Sequence, residues 1–113
     1  MNSDTEQDHQ ALLSALEHPQ IAGGYVLLPK DIYNGPRVPQ ANVAVELAKL
    51  RSNEPVYGSE ALYNSKTQRY YCSLCLHRQL RETELITQPS QGNTHVDYFK
   101  CRICDRPFEV PGP

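Results

Sequence analysis

The chain contains no tryptophan and only two phenylalanines, Phe99 and Phe108, so its apolar interior has to be assembled from aliphatic and tyrosine side chains. At 113 residues and 39% hydrophobic content that interior is lean, and one small domain, or one very small domain with an appendage, is the size expected. No segment approaches the roughly 20 consecutive apolar residues that a membrane-spanning helix requires, which excludes a membrane-embedded role. The N-terminus lacks an apolar run with a cleavage site, so the chain is expected in a reducing intracellular compartment, cytoplasm or nucleus. No glycine-rich phosphate loop is present, because Gly23-Gly24 stands alone. A serine or cysteine nucleophile in a recognisable setting is missing as well, so the chain is not expected to be an enzyme or to take a small-molecule substrate.

Cysteine is also absent except in two couplets, and these carry the strongest chemical signal. Cys72-Ser-Leu-Cys75 and Cys101-Arg-Ile-Cys104 are separated by 25 residues and use all four cysteines. Two residues between cysteines let the backbone make one tight turn that aims both sulfurs at a point. Two such knuckles supply four thiolates, matching the tetrahedral preference of zinc with Zn–S distances of about 2.3 Å. One structural Zn2+ held by Cys72, Cys75, Cys101 and Cys104 is therefore expected. Iron fits the same sulfur cage, and two disulfides are the alternative in an oxidising setting. Four protein thiolates leave no open coordination position for a reacting water.

Net charge is −2, and it is unevenly spread. Residues 1–65 carry four basic and eight acidic side chains, whereas residues 66–113 carry seven basic and five acidic ones. The basic excess surrounds the cysteines. Arg69, Arg78, Lys100, Arg102 and Arg106 are accordingly the candidate nucleic-acid contacts, with Tyr70, Tyr71 and Tyr98 beside them as possible stacking platforms for single-stranded bases. His95 and Asp97 stand two apart on a candidate strand, where a surface pair is a commoner arrangement than an acid–base pair.

The pattern divides the chain in two. Residues 1–65 read as a helical N-terminal region with a turn-rich connector. A capping box at Ser3–Glu6 precedes Leu12, Leu13, Ala15 and Leu16, which form an apolar stripe ending at His18-Pro19. Tyr25–Leu28 reads as a short strand, 29–40 as turns, and 40–51 as a second helix with Val43, Leu47 and Leu50 on one face. Residues 53–67 show little periodicity. Beyond them the period becomes two, giving strand candidates at 68–72, 80–88, 95–101 and 108–110, with 89–94 as a hairpin loop. The fold class expected is a small α+β metal-stabilised domain: N-terminal helices plus a C-terminal three-stranded antiparallel zinc ribbon over 66–113.

Tyr71-Cys72-Ser73-Leu74-Cys75, a hairpin, and Tyr98-Phe99-Lys100-Cys101-Arg102-Ile103-Cys104 followed by Arg106-Pro107-Phe108 resemble a transcription-type zinc ribbon. Relatives of that type include the C-terminal domain of the S-II elongation factors, small RNA polymerase subunits and Elf-type elongation factors. The resemblance covers residues 70–110. It implies a zinc-ribbon protein-interaction module, with a protein partner in a transcription machine such as RNA polymerase; a nucleic-acid-binding ribbon is the alternative. A small viral or accessory regulator of a host enzyme is a third reading, which chain length and the unmatched N-terminus permit. The sequence departs from the family in two places. Leu76 and Asp105 stand where glycine usually follows each knuckle, so the first knuckle has room to differ and to bring His77 toward the metal. The hairpin tip, Gln88–Thr94, lacks the Asp-Glu pair of the S-II factors, which disfavours transcript-cleavage activity.

Overall fold

The structure is a computed structural model that describes residues 3–89 and 95–111. The chain begins with helix α1 (Ser3–Glu17) and a short hairpin, β1 (Ile21–Ala22) and β2 (Tyr25–Val26). Gly23 and Gly24 both take positive φ, 58° and 84°, as a two-residue turn between twisted antiparallel strands demands. A single 3-10 turn at Gln40–Asn42 runs into helix α2 (Val43–Ser52). Next come β3 (Asn53–Pro55), β4 (Ala61–Asn64) and β5 (Arg69–Cys72), forming an antiparallel sheet in the order β3-β4-β5. Helix α3 (Ser73–Gln79) follows directly. A second antiparallel sheet, β6 (Leu85–Thr87), β7 (Val96–Cys101) and β8 (Pro107–Pro111), closes the fold. Among the described residues, no helix is long and apolar enough to cross a membrane.

The fold is thus a small α+β arrangement of three helices and antiparallel sheets, and it differs from the expected arrangement in the middle. Strand 68–72 does not join the C-terminal sheet. β5 pairs with β4, and meets the segment leading into β6 through the isolated bridge Tyr71↔Glu84 and the Cys72 N–H donating to the Thr83 carbonyl at 2.9 Å. The expected strand 80–88 shrinks to 85–87, because residues 73–79 continue as a helix and Leu80 ends it in a left-handed conformation, φ 53°. The segment read as an aperiodic connector, 53–67, holds the β3–β4 hairpin. Its signal is hidden because Pro55 sits on an edge strand, where no N–H is needed, and because two of its buried positions are asparagines. The Asn64 side-chain oxygen accepts from the Lys66 and Thr67 N–H groups at 2.9 and 3.3 Å, closing the β4–β5 turn. The Asn53 amide donates to the Lys49 carbonyl and to Glu82, both at 2.7 Å. The expected hairpin tip at 89–94 lies, beyond Pro89, outside the described residues.

Two cores share β4 as a wall. Leu62 faces Leu12, Leu16, Val26, Val38, Leu50, Leu76 and Leu80. Its neighbour Ala61, on the opposite face of the strand, joins Leu85, Phe108, Val110 and three of the cysteines. The first core draws on residues from both sides of position 65. The expected stripe on α1 extends two turns toward the N-terminus: Thr5 and His9 are buried in line with Leu12 and Leu16.

His9 pins the three helices together. Its Nε2–H donates to the Leu50 carbonyl on α2 at 2.8 Å, which leaves Nδ1 to accept from the His77 Nε2–H on α3, also at 2.8 Å. Burial lowers the pKa of His9 against the opposing pull of the Leu50 carbonyl and Glu54, and burial together with His9 pushes that of His77 down to about 3. Both rings are therefore neutral in the fold. An unfolded chain takes up protons near the ordinary histidine value of about 6.5, so the stability from this pair is complete above that pH and is lost as pH falls below it. An imidazole NMR titration should place the His9 midpoint below the ordinary histidine value, and a midpoint at or above that value would contradict the assignment. His9→Ala should cost about 2–4 kcal/mol in denaturant melts, through the cavity and the two groups left unpartnered.

Candidate metal centre

Each knuckle is held by a different local device. Cys72 is the last residue of β5 and the N-cap of α3: its Sγ accepts the Cys75 N–H at 3.4 Å, so the helix start itself aims the couplet. Cys101 ends β7, in register with Leu85, and its Sγ accepts the Cys104 N–H at 3.5 Å. Asp105 takes the left-handed conformation, φ 61°, in the place where glycine is usual, and its N–H donates to the Cys101 carbonyl at 2.8 Å. The second knuckle therefore closes in a left-handed turn with aspartate rather than glycine at it. In the first knuckle no such turn is needed, because Leu76 lies inside α3 and the left-handed residue comes later, at Leu80.

The four sulfurs converge, all within 4.8 Å of one another. Cys72 and Cys104 approach to 3.6 Å, and Cys75 and Cys101 to 3.7 Å, each close pair crossing from one knuckle to the other. A tetrahedral ion at Zn–S distances of about 2.3 Å has sulfur–sulfur edges of about 3.8 Å, so the donor set fits zinc in number, chemistry and spacing. None of the four is in a disulfide. Cys72, Cys75 and Cys101 are buried and Cys104 is exposed.

The electrostatics point the same way. Burial, reinforced by the neighbouring cysteines, pushes the Cys72 thiol far above its ordinary range, and burial also raises that of Cys75. At Cys101 burial again opposes ionisation, but N–H donors from Cys104 and Ile103 outweigh it and lower the pKa. Four thiolates packed this closely repel one another, and three of them are buried away from water. A divalent cation is what makes their simultaneous ionisation favourable.

His77 is not among the clustered ligands; its ring faces His9. The expected nucleic-acid contacts are dispersed, and most carry partners. Arg69 pairs with Glu84 at 2.8 Å, Lys100 with Asp105 at 2.9 Å, and Arg106 meets both Glu60 oxygens at 2.9 and 3.0 Å. Arg78 and Arg102 are exposed. Tyr70 stacks between Tyr63 and Phe99, with ring centres 5.1 and 5.2 Å away, and Tyr71 packs against the first core. Tyr98 remains half-buried at the edge of a cleft beside Lys100 and Gly58. His95 precedes β7 and Asp97 lies on it, both exposed. The buried His9 was missed by sequence reasoning; its place four residues before Leu13 and three before Leu12 is the signal that marks it. Comparison with protein-family models, with curated proteins and with solved structures found no match to this chain.

The second core consists of the three buried cysteines and only four other buried side chains, so it has little to hold it without the ion. Chelation under reducing conditions should abolish amide-exchange protection in β6, β7 and β8 while the α1–α2 contact keeps part of its own. Retention of the β7 protection after metal removal would show that the core closes without the ion.

Proposed function

We propose that this chain is a non-enzymatic zinc-ribbon protein in which one structural Zn2+ on Cys72, Cys75, Cys101 and Cys104 holds a protein-interaction surface, its partner belonging to a transcription machine such as RNA polymerase. The observation that carries the reading is the convergence of two knuckles, one at the end of β5 and one at the end of β7, onto a closed four-sulfur site. A site with all four positions filled by protein organises a fold and leaves no vacancy for a reacting ligand. The aromatic flanks Tyr71 and Tyr98 and the antiparallel strands β6–β8 support the ribbon part. The partner follows from the resemblance of residues 70–110 to transcription-type ribbons, and from nothing finer.

A nucleic-acid partner ranks below a protein partner for an electrostatic reason. Binding to a phosphate backbone draws its energy from uncommitted cations, and three of the five candidate cations are already beside carboxylates. Those exposed pairs contribute little to stability, but each cancels the local field that would attract a phosphate.

Affinity capture from cell extract, wild type beside Cys101→Ser, should recover a stable protein partner only with the wild type. Recovery of the same proteins with both would remove the metal-held surface from the account. In a gel-shift titration, single- and double-stranded DNA and RNA should be retained weakly at low salt and lost as salt rises. Tight retention persisting at physiological salt would favour the nucleic-acid reading instead.

A further inference from the structure

Leaving aside Lys66, Arg78 and Arg102, part of the uncommitted positive charge lies away from the cysteines. Among the described residues, Lys30, Arg37 and Arg81 form no ion pair, whereas Lys49, Arg51, Arg69, Lys100 and Arg106 each have one. These three exposed cations line two adjoining depressions of about 420 and 460 Å³, which share Tyr33, Arg37 and Val38. Lys30 and Arg37 are the charged residues lining the first. Two acids, Glu46 and Glu82, border the second, and both are engaged, with Lys49 at 2.8 Å and with the Asn53 amide at 2.7 Å. The positive groove is not a by-product of a basic region, since residues 1–65 carry an excess of acid.

Beside these cations lies exposed apolar surface. Tyr25 and Leu27, at 38% and 53% exposure, belong to β2 and its continuation and line the first depression. The Arg37 guanidinium sits 5.4 Å above the Tyr25 ring, which holds the charge at the groove. The floor is stiff. The Asn34 N–H donates to the Arg78 carbonyl at 2.9 Å, the Tyr33 hydroxyl donates to the Pro36 carbonyl, and Pro29, Pro36 and Pro39 restrict the loop. Gly35 passes so close to α3 that a Cβ there would lie 2.9 Å from the Gln79 Cα. A groove already ordered loses little entropy when it is filled.

We propose that this groove, from Leu27 across Arg37 to Arg81, binds an acidic linear peptide that carries a bulky apolar side chain. The proposal rests on the reading of the chain as an interaction module and names the chemistry of its partner. Carboxylates meet Lys30, Arg37 and Arg81, and the apolar side chain lies on the Tyr25–Leu27 strip. A nucleic acid suits the groove less well, because Leu27 offers no face for base stacking and one face of Tyr25 is covered by Arg37.

The test is an NMR titration of the ¹⁵N-labelled, zinc-loaded full chain with a short acetylated peptide of glutamate, leucine and phenylalanine. The same peptide with glutamine for glutamate, and an oligouridylate, serve as comparison probes. The glutamate peptide should shift amides confined to 25–40 and 79–82. Affinity should drop at least about fivefold for the glutamine peptide and for the exposed-site variant Arg37→Glu/Arg81→Glu, while Arg102→Glu leaves it unchanged. Absence of shifts, equal binding of the glutamine peptide, or equal shifts from the oligouridylate would each overturn the proposal. A cellular partner captured equally by wild type and Arg37→Glu/Arg81→Glu would also overturn it, yet leave the interaction-module reading standing.

Discussion

Four clustered sulfurs, three of them buried, that cannot all be ionised without a cation are the constraint on which this fold turns. Around Cys72, Cys75 and Cys101 the buried apolar companions among the described residues are Ala61, Leu85, Phe108 and Val110, with Val56, Tyr70, Leu74 and Phe99 partly buried against them. That is too little apolar surface to order three strands and two knuckles by burial alone. An ion held by the four cysteines would stand at the centre of this core rather than supplement it. The same cysteines reach into the rest of the molecule through α3, whose N-cap is the ligand Cys72 and whose Leu76 and Leu80 close the first core. A metal bound at these cysteines would be coupled to helix packing through α3.

The first core has a different logic. It is conventional aliphatic packing of α1, α2 and α3 against Leu62, with one polar element, the His9–His77 pair, spanning all three helices. Buried polar groups are tolerable only when fully partnered, and here each of the contacts at His9 is made to a different helix. The pair thereby fixes how the helices sit relative to one another, which uniform leucine packing does not specify. β4 separates the two regimes, sending Leu62 to one side and Ala61 to the other.

Much of this was legible in the sequence, and the failures have physical causes. The two couplets foretold the sulfur cluster because two-residue spacing leaves the backbone few other options. The helices at 3–17 and 43–52 followed from apolar positions at helical spacing, and β7 from alternation. The β3–β4 hairpin was hidden because its buried positions include Asn53 and Asn64, which look like loop residues until their hydrogen bonds are known. Helix α3 was hidden because the first couplet was read as a knuckle between strands, whereas its cysteines are spaced equally well for an N-cap and the first turn of a helix. The basic residues were counted correctly, but their significance was not visible. Sequence shows that Arg69, Lys100 and Arg106 are cationic; only the fold brings Glu84, Asp105 and Glu60 to them and leaves Lys30, Arg37 and Arg81 uncommitted.

The central claim is that one ion sits among four cysteine sulfurs, and X-ray absorption at the metal edge, on protein purified under reducing conditions, tests it most directly. The account predicts one zinc per chain with four sulfur neighbours at about 2.3 Å. A first shell containing nitrogen or oxygen, or protein that is fully folded with no bound metal, would contradict it.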